Sequence, residues 1–288
     1  MDELVEGVVD RLEKAGALND TYIFYTSDHG FHIGQHRLQP GKSCGYDEDI
    51  RVPFLLRGPG IPKGGQVSSV TTHIDLAPTI MKIAGLAHRD DFDGVSIPLN
   101  EQEMQEDELT RHEHVTVEYW GFAAGEGRHG AGPDGSPGLI QNNTYKALRI
   151  VSEEYSLYYS VWCTNEHELY DIRSDPHQLH NLYPEGVKQN PERQILGLPV
   201  SKVIARLDAL VMVLKSCKGS VCIKPWAELH PQGNIRTLRE ALSAQYDDFY
   251  TAQVKVEYNW CAAGYILEAE GPQDVYAYRA GVDWSLWI

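Results

Sequence analysis

The stretch YIFYTSDHGFHIGQHRLQPGK, residues 22–42, joins a continuous apolar run to a sudden cluster of Asp, His, Gly and Lys. The run Tyr22 to Ser27 is short, rich in aromatic residues and bounded by turn signals, as expected of a buried strand. Ahead of it Leu4, Val5, Val8, Val9, Leu12 and Ala15 recur at helical spacing, and Gly16 can end that helix. Helix followed by buried strand predicts an α/β sheet. In such sheets ligands bind beyond the carboxyl ends of the strands, where Asp28 and His29 stand. A carboxylate there is a natural ligand for a hard cation such as calcium or magnesium, an imidazole a less usual one. Gly30 is expected to let the backbone leave the strand in a conformation that a side chain would forbid.

Working outward, VPFLLRG at residues 52–58 reads as a second buried strand, followed by the turn-rich GPGIPKGG. Asp75 is placed to cap a helix through LAPTIMKIAG, with Pro78 in its first turn and Gly85 just past its end. The segment from Asn100 to Glu108 is dense in Glu, Gln and Asp and reads as a solvated helix or linker. HVTVEYWG, TYKALRIV, YSLYYSVW and HELYDI then alternate with Gly-, Pro- and Asn-containing loops, the pattern of a small antiparallel sheet. The stretch GEGRHGAGPDGSPG, residues 125–138, is too rich in Gly and Pro to pack regularly and is expected to be mobile. After Pro184 one helix is predicted through Val203, Leu207, Leu210, Val211 and Leu214, and a second through Leu238, Leu242 and Phe249. The expected division is 1–105, 106–185 and 186–288.

The chain has 288 residues, 42% of them hydrophobic, and a formal charge of −16. That charge repels polyanions, so nucleic acid and acidic membranes are excluded as partners, and long sulfated glycans are disfavoured. The longest apolar run, Ala209 to Leu214, is far short of the ~20 residues of a membrane span. MDELVEGVVDRLEK has acids where a signal peptide carries basic residues, so no signal peptide is read in this chain. Five cysteines leave at least one unpaired within the chain. CKGSVC reads as a short-loop disulfide, with half of a zinc site as the other reading. Sequons at Asn19 and Asn142 lean, with the cysteines, toward a glycoprotein of the secretory pathway.

SDHGFHIGQHRL, then Lys42, then YDEDIRVPFLLRGPG, then HIDLAPTIMKIAG together resemble the carboxyl-terminal half of the sulfatase family, within the alkaline phosphatase superfamily. The variant is most similar to fungal arylsulfatases and the N-acetylglucosamine-6-sulfatase branch. ELYDIRSDPHQLHNL, residues 168–182, resembles a segment that recurs near the end of sulfatases, so the likeness covers residues 1–185 and is looser beyond. It implies an incomplete alkaline-phosphatase-like α/β sheet flanked by helices, then a small antiparallel α+β subdomain and a helical C-terminal extension.

The resemblance further implies that Asp28 and His29 bind one divalent cation, Ca2+ in most members with Mg2+ as the alternative. It makes Lys42 the catalytic lysine that contacts the sulfate. An ammonium suits that task, because ester hydrolysis leaves negative charge on the bridging oxygen. His32 is a candidate substrate-binding residue, and a surface or hydrogen-bonded role stands beside that reading for both His32 and His36. Asp47, Glu48 and Asp49 are expected to orient neighbouring basic groups. Arg111-His112-Glu113-His114 is read as structural rather than as a metal pair.

Sulfatases attack sulfur with a formylglycine made from the Cys or Ser of a C-x-P-x-R or S-x-P-x-R motif. No cysteine or serine of this chain has that context. The formylglycine, paired aspartates and motif arginine are therefore expected in a missing N-terminal half, a partner without which this chain is inactive. The expected function is a sulfuric ester hydrolase, of arylsulfatase type, acting on small aryl or alkyl sulfate esters. A catalytically dead relic or interaction module is the alternative, and a phosphatase or phosphodiesterase of the same superfamily is the weaker one.

Overall fold

The computed structural model describes residues 1–126, 138–184 and 193–272. The stretch expected to be mobile lies, over 127–137, outside the described residues, as does the boundary drawn at 185.

Helix α1 spans Asp2–Lys14, with Asp2 and Glu3 in its first turn and Arg11 and Lys14 in its last. Those signs complement the helix dipole at both ends. Its apolar stripe is uncovered: none of its residues is buried, and Leu4 is 65% exposed. Strands β1 (Ile23–Tyr25) and β2 (Leu55–Arg57) pair antiparallel, Ile23 opposite Arg57 and Tyr25 opposite Leu55. The two apolar runs read as buried strands are therefore only half covered, and Leu55 is 58% exposed. The reason is topological. Among the described residues the ladder has two strands, so each keeps an open edge.

Between these strands lies the short helix α2, Asp47–Ile50. Helix α3, Leu76–Ile83, starts at Asp75 as the sequence suggests, but the Asp75 side chain does not cap it. Instead Asp75 closes a capping box with Thr72 one turn earlier, accepts from Val95 N–H, and receives the Arg111 guanidinium at 2.7 Å. The acidic segment forms helix α4, Glu101–Thr110, capped by the Asn100 side chain accepting from Glu103 N–H.

The four predicted β runs form β3 (His114–Tyr119), β6 (Tyr145–Val151), β7 (Ser156–Trp162) and β8 (His167–Asp171), an antiparallel sheet in the order β3-β6-β7-β8. A small ladder of β4 (Ala123–Ala124) and β5 (Leu139–Ile140) sits beside it. Both faces of the main sheet are used, because side chains alternate along each strand. One face presents Tyr145, Ala147, Tyr158, Tyr170 and Ile172 to Tyr46 and Ile50 around α2. Gly45 lies so close to this face that a Cβ there would overlap the Tyr158 phenol oxygen. The contact is polar as well: Asp47 pairs with Arg149 at 3.0 Å, and Tyr46 donates to Glu168.

The other face presents Leu148, Ile150, Leu157, Tyr159, Val161 and Leu169 to helix α5, Val200–Leu214. A hairpin of β9 (Gln194–Ile195) and β10 (Leu198–Pro199) leads into α5, and its turn residues Leu196 and Gly197 both take positive φ. Val203, Leu207, Leu210 and Val211 of α5 are fully buried, each contributing roughly 1.5–3 kcal/mol. Helices α6 (Ser220–Ile223), α7 (Pro225–Leu229), α8 (Leu238–Ala241) and α9 (Asp247–Thr251) complete this layer. The second tail helix expected from the sequence is thus broken in two, because Ser243 adopts an extended ψ of 134° between α8 and α9. Buried Arg206 ties the pieces together, bonding Ala241 O and Asp247 while stacking on Tyr250.

Two disulfides are present. Cys217–Cys222 closes the short loop expected from CKGSVC, and Cys163–Cys261 joins the end of β7 to the tail. Cys44 is the unpaired fifth cysteine. No described helix is long and apolar enough to cross a membrane.

Candidate functional site

Just past β1 the chain turns through Ser27, Asp28 and His29. The Ser27 hydroxyl donates to the His29 carbonyl at 2.7 Å, and the His73 ring Nε2 bonds the Ser27 carbonyl at 2.7 Å. The Asp28 side chain is 81% exposed and lies 3.0 Å from His29 Nε2; the other ring nitrogen, Nδ1, bonds Gly30 O. Desolvation would raise the Asp28 carboxyl, but the His29 charge and hydrogen bonds from the backbone and Ser27 outweigh it and hold it below its usual value. The turn is anchored from behind, since Gly30 N–H donates to Asp49 O at 2.7 Å and Phe31 N–H to Glu48 O at 3.0 Å. That contact explains Gly30 differently from the sequence reading. It does not take a positive φ; rather, a Cβ at this point would overlap the Glu48 carbonyl.

Beyond the turn, His32 and Gly41 bond each other's backbone in an antiparallel bridge, bringing Lys42 back beside the His32 segment. His32 is buried, and its Nδ1 sits 2.8 Å from both carboxylate oxygens of Asp49. Asp49 Oδ2 also accepts from Cys44 N–H at 2.9 Å. His36 stacks on Tyr46 with ring centres 3.8 Å apart and lies 3.8 Å from Glu48. Each of the three acids 47–49 thus faces a basic group, as expected: Arg149, His36 and His32.

Lys42 is 44% exposed and its ammonium is 3.3 Å from Glu126 Oε1. A cavity of about 100 Å³ brings Lys42 and His32 together with Cys44, Asn143 and Trp162. Burial, then the charges of Asp49 and Glu168, push the Cys44 thiol up to about 12. A larger cleft of about 950 Å³ runs from Thr26 and Asp47 to Val115, Arg149 and Ser156 on the sheet. Asp28 and His29 line neither cavity. The structure therefore joins two of the sequence-named residues and leaves the other two on the exposed turn.

Asn143 and Trp162, which line the cavity, and Glu126, which pairs with Lys42, had no signal in the sequence as site residues, because they come from the sheet region, 80 or more positions away. Arg111 to His114 make structural links. Arg111 pairs with Asp75, and Glu113 accepts from Tyr155 Oη, Trp226 Nε1 and Leu238 N–H. His114 Nε2 bonds Cys222 O, and its ring centre lies 4.8 Å from that of His112.

Residues 1–86 match the sulfatase family model. Among curated proteins the chain is 40% identical over 274 residues to a sulfatase of Metarhizium majus, covering 94% of this chain and 55% of that protein. It is 38% identical to an arylsulfatase of Chlamydomonas reinhardtii, covering 90% of this chain and 40% of the relative. It is 37% identical to N-acetylglucosamine-6-sulfatase of Bos taurus, covering 78% and 40%. The chain thus spans between 40% and 55% of the length of these relatives. A solved structure described as a complex with its substrate D-glucosamine-2-N,6-O-disulfate matches with a TM-score of 0.52 at 26% identity, over 64% of this chain and 34% of that one.

Proposed function

Since this chain belongs to the sulfatase family and shares its alkaline-phosphatase-like fold, we propose that it is the part of a sulfuric ester hydrolase that supplies the Asp28–His29 turn and the Lys42 ammonium. The observation that carries the reading is the shared cavity of Lys42 and His32, a few residues past that turn. The nucleophile comes from elsewhere, because the sequence has no C-x-P-x-R or S-x-P-x-R motif.

The sulfatase family generally uses a divalent cation. The donors at the turn fit one in part: the Asp28 carboxylate is open to solvent and converges with His29 Nε2 to 3.0 Å. Two ligands from one turn are too few for a hard cation, which takes 6–8 oxygens, so the remaining ligands lie on the partner segment. When bound, the cation neutralises charge on the sulfate oxygens. Lys42 leaves Glu126 and donates to the ester, meeting the negative charge that grows on the leaving oxygen. Asp49 holds His32 Nδ1 and so fixes the ring against the cavity wall.

The substrate class we assign is a small aryl or alkyl sulfate, in keeping with the net charge of −16. Secretory origin is supported by two disulfides and by relatives described as extracellular sulfatases in Drosophila melanogaster and Caenorhabditis elegans. The exposed apolar stripe of α1 and the open edges of β1 and β2 support a polypeptide partner of the same fold.

The test is hydrolysis of 4-nitrophenyl sulfate and 4-nitrophenyl phosphate, together with calcium titration. The pure chain is expected to turn over neither ester, and its weak calcium binding is expected to disappear in Asp28→Ala. Sulfate-ester turnover by the pure chain that is lost in Asp28→Ala would overturn the division of the active site. Calcium binding unchanged by that substitution would remove the turn from it.

A further inference from the structure

We propose that His32, Cys44 and Asp49 form a second metal site, distinct from the Asp28–His29 turn, that takes a borderline-soft divalent ion such as Zn2+. One ring nitrogen, the sulfur and one carboxylate oxygen of these residues all lie within 4.8 Å of one another. Among the described residues this is the only place where three such donors converge.

The donor set selects the ion. Thiolate and imidazole suit zinc, whereas calcium prefers oxygen alone. Binding would displace the Cys44 proton, which burial and the Asp49 and Glu168 charges hold on the sulfur in the metal-free chain, and Asp49 and the resulting thiolate would then carry two negative charges and His32 none, matching a divalent cation. The three donors are also held in place before any ion arrives. His32 is fixed by its bridge to Gly41, Asp49 by Gly30 N–H donating to its carbonyl, and Cys44 by its N–H donating to Asp49 Oδ2. Tetrahedral zinc with bonds near 2.0 Å to nitrogen and oxygen spaces those ligands at about 3.3 Å. The 2.8 Å contact between His32 Nδ1 and Asp49 therefore needs to widen by about half an ångström if Nδ1 is the ligand. The cavity that His32 and Cys44 line is large enough for a water molecule, which could serve as a fourth ligand.

The chain offers a direct readout, because its four other cysteines are tied in disulfides and Cys44 is the one free thiol. Titrating the full chain with Co2+, without reductant, should give one ion per chain with thiolate-to-cobalt absorption in the near ultraviolet, displaced by Zn2+. Cys44→Ser should abolish the band. His32→Gln and Asp49→Asn should each weaken binding at least about tenfold, the scale seen when even outer partners of a ligand are removed. Asp28→Ala should leave the band intact, which separates this site from the proposed calcium turn. A folded chain without the band, or a band that survives Cys44→Ser, would overturn the proposal. If Cys44→Ser does not fold, alkylation of the unaltered chain decides: saturating Zn2+ should protect Cys44 from iodoacetamide, and an unchanged alkylation rate would overturn it equally.

Discussion

His32 Nδ1 stands 2.8 Å from each carboxylate oxygen of Asp49, with both side chains buried and Cys44 N–H sharing the same carboxylate. Asp49→Ala leaves two buried donors without a partner, each costing about 1–3 kcal/mol. The expected loss in urea unfolding is therefore about 2–6 kcal/mol. A change below about 0.5 kcal/mol would show that the contact does not hold this loop.

Gly30→Ala should be equally damaging for a steric reason. The new methyl would overlap the Glu48 carbonyl, which is backbone and cannot swing away. Overpacking of this kind costs about 1–3 kcal/mol, and thermal unfolding should register it as a clear fall in midpoint. Gly7→Ala, where nothing lies within 4 Å of the added carbon, is the matched control and should not destabilise.

Lys42→Ala should leave stability almost untouched, within about 0.5 kcal/mol, because its partner Glu126 is itself well exposed and such pairs contribute little. In the assembled enzyme the same substitution should abolish sulfate-ester turnover. Loss of stability in step with loss of activity would assign Lys42 a packing role instead.

Acid sensitivity should be governed by the neighbours His112, Glu113 and His114. Burial, and then the Arg111 charge, lower His112 to about 4; burial, and then His112, lower His114 to about 3. Both folded values lie below the unfolded value, so their contribution is present above about pH 6.5 and is lost as pH falls. Burial raises Glu113 to about 7, against the hydrogen bonds from Tyr155, Leu238 and Trp226. Its folded value lies above the unfolded one, so its contribution is present below about pH 4.5 and is lost as pH rises through 7. Between pH 4.5 and 6.5 the acid thus opposes the histidines. Glu113→Gln should steepen the loss of stability on acidification by up to roughly 1.4 kcal/mol per pH unit, read from urea midpoints. A shallower acid limb would reverse the assignment.

The two disulfides should differ in weight. On the chain-entropy argument, closing a separation of 98 residues between Cys163 and Cys261 is worth about 4–5 kcal/mol, against about 2 for the five-residue separation of Cys217 and Cys222. Cys261→Ser should therefore lower the melting temperature more than Cys217→Ser does. Equal shifts would point to native-state packing as the source of both effects.

What the sequence reveals and what it hides follow from the range of each interaction. The runs that became β3, β6, β7 and β8 are legible because β-branched and aromatic residues bounded by Gly-, Pro- and Asn-containing loops are a local signal. The Cys217–Cys222 bridge and the start of α3 after Asp75 are also local and were readable. The partial exposure of β1 and β2 was not, since an apolar run does not say how many neighbouring strands will cover it. The break between α8 and α9 lies at Ser243, where helical periodicity persists across the interruption through Leu238, Leu242 and Phe249. At the site, Asp28, His29, Lys42 and His32 stand out by motif. Glu126, Asn143 and Trp162 enter only when the chain folds back on itself, and Asp49 was visible as an acid but not as the holder of His32.

The Cys163–Cys261 bridge has a practical corollary for anyone handling this protein. A protease that nicks the backbone anywhere between those two positions yields fragments that still migrate as one band on a non-reducing gel. Only after a reductant is added does the cut become visible, so integrity has to be judged from reduced samples.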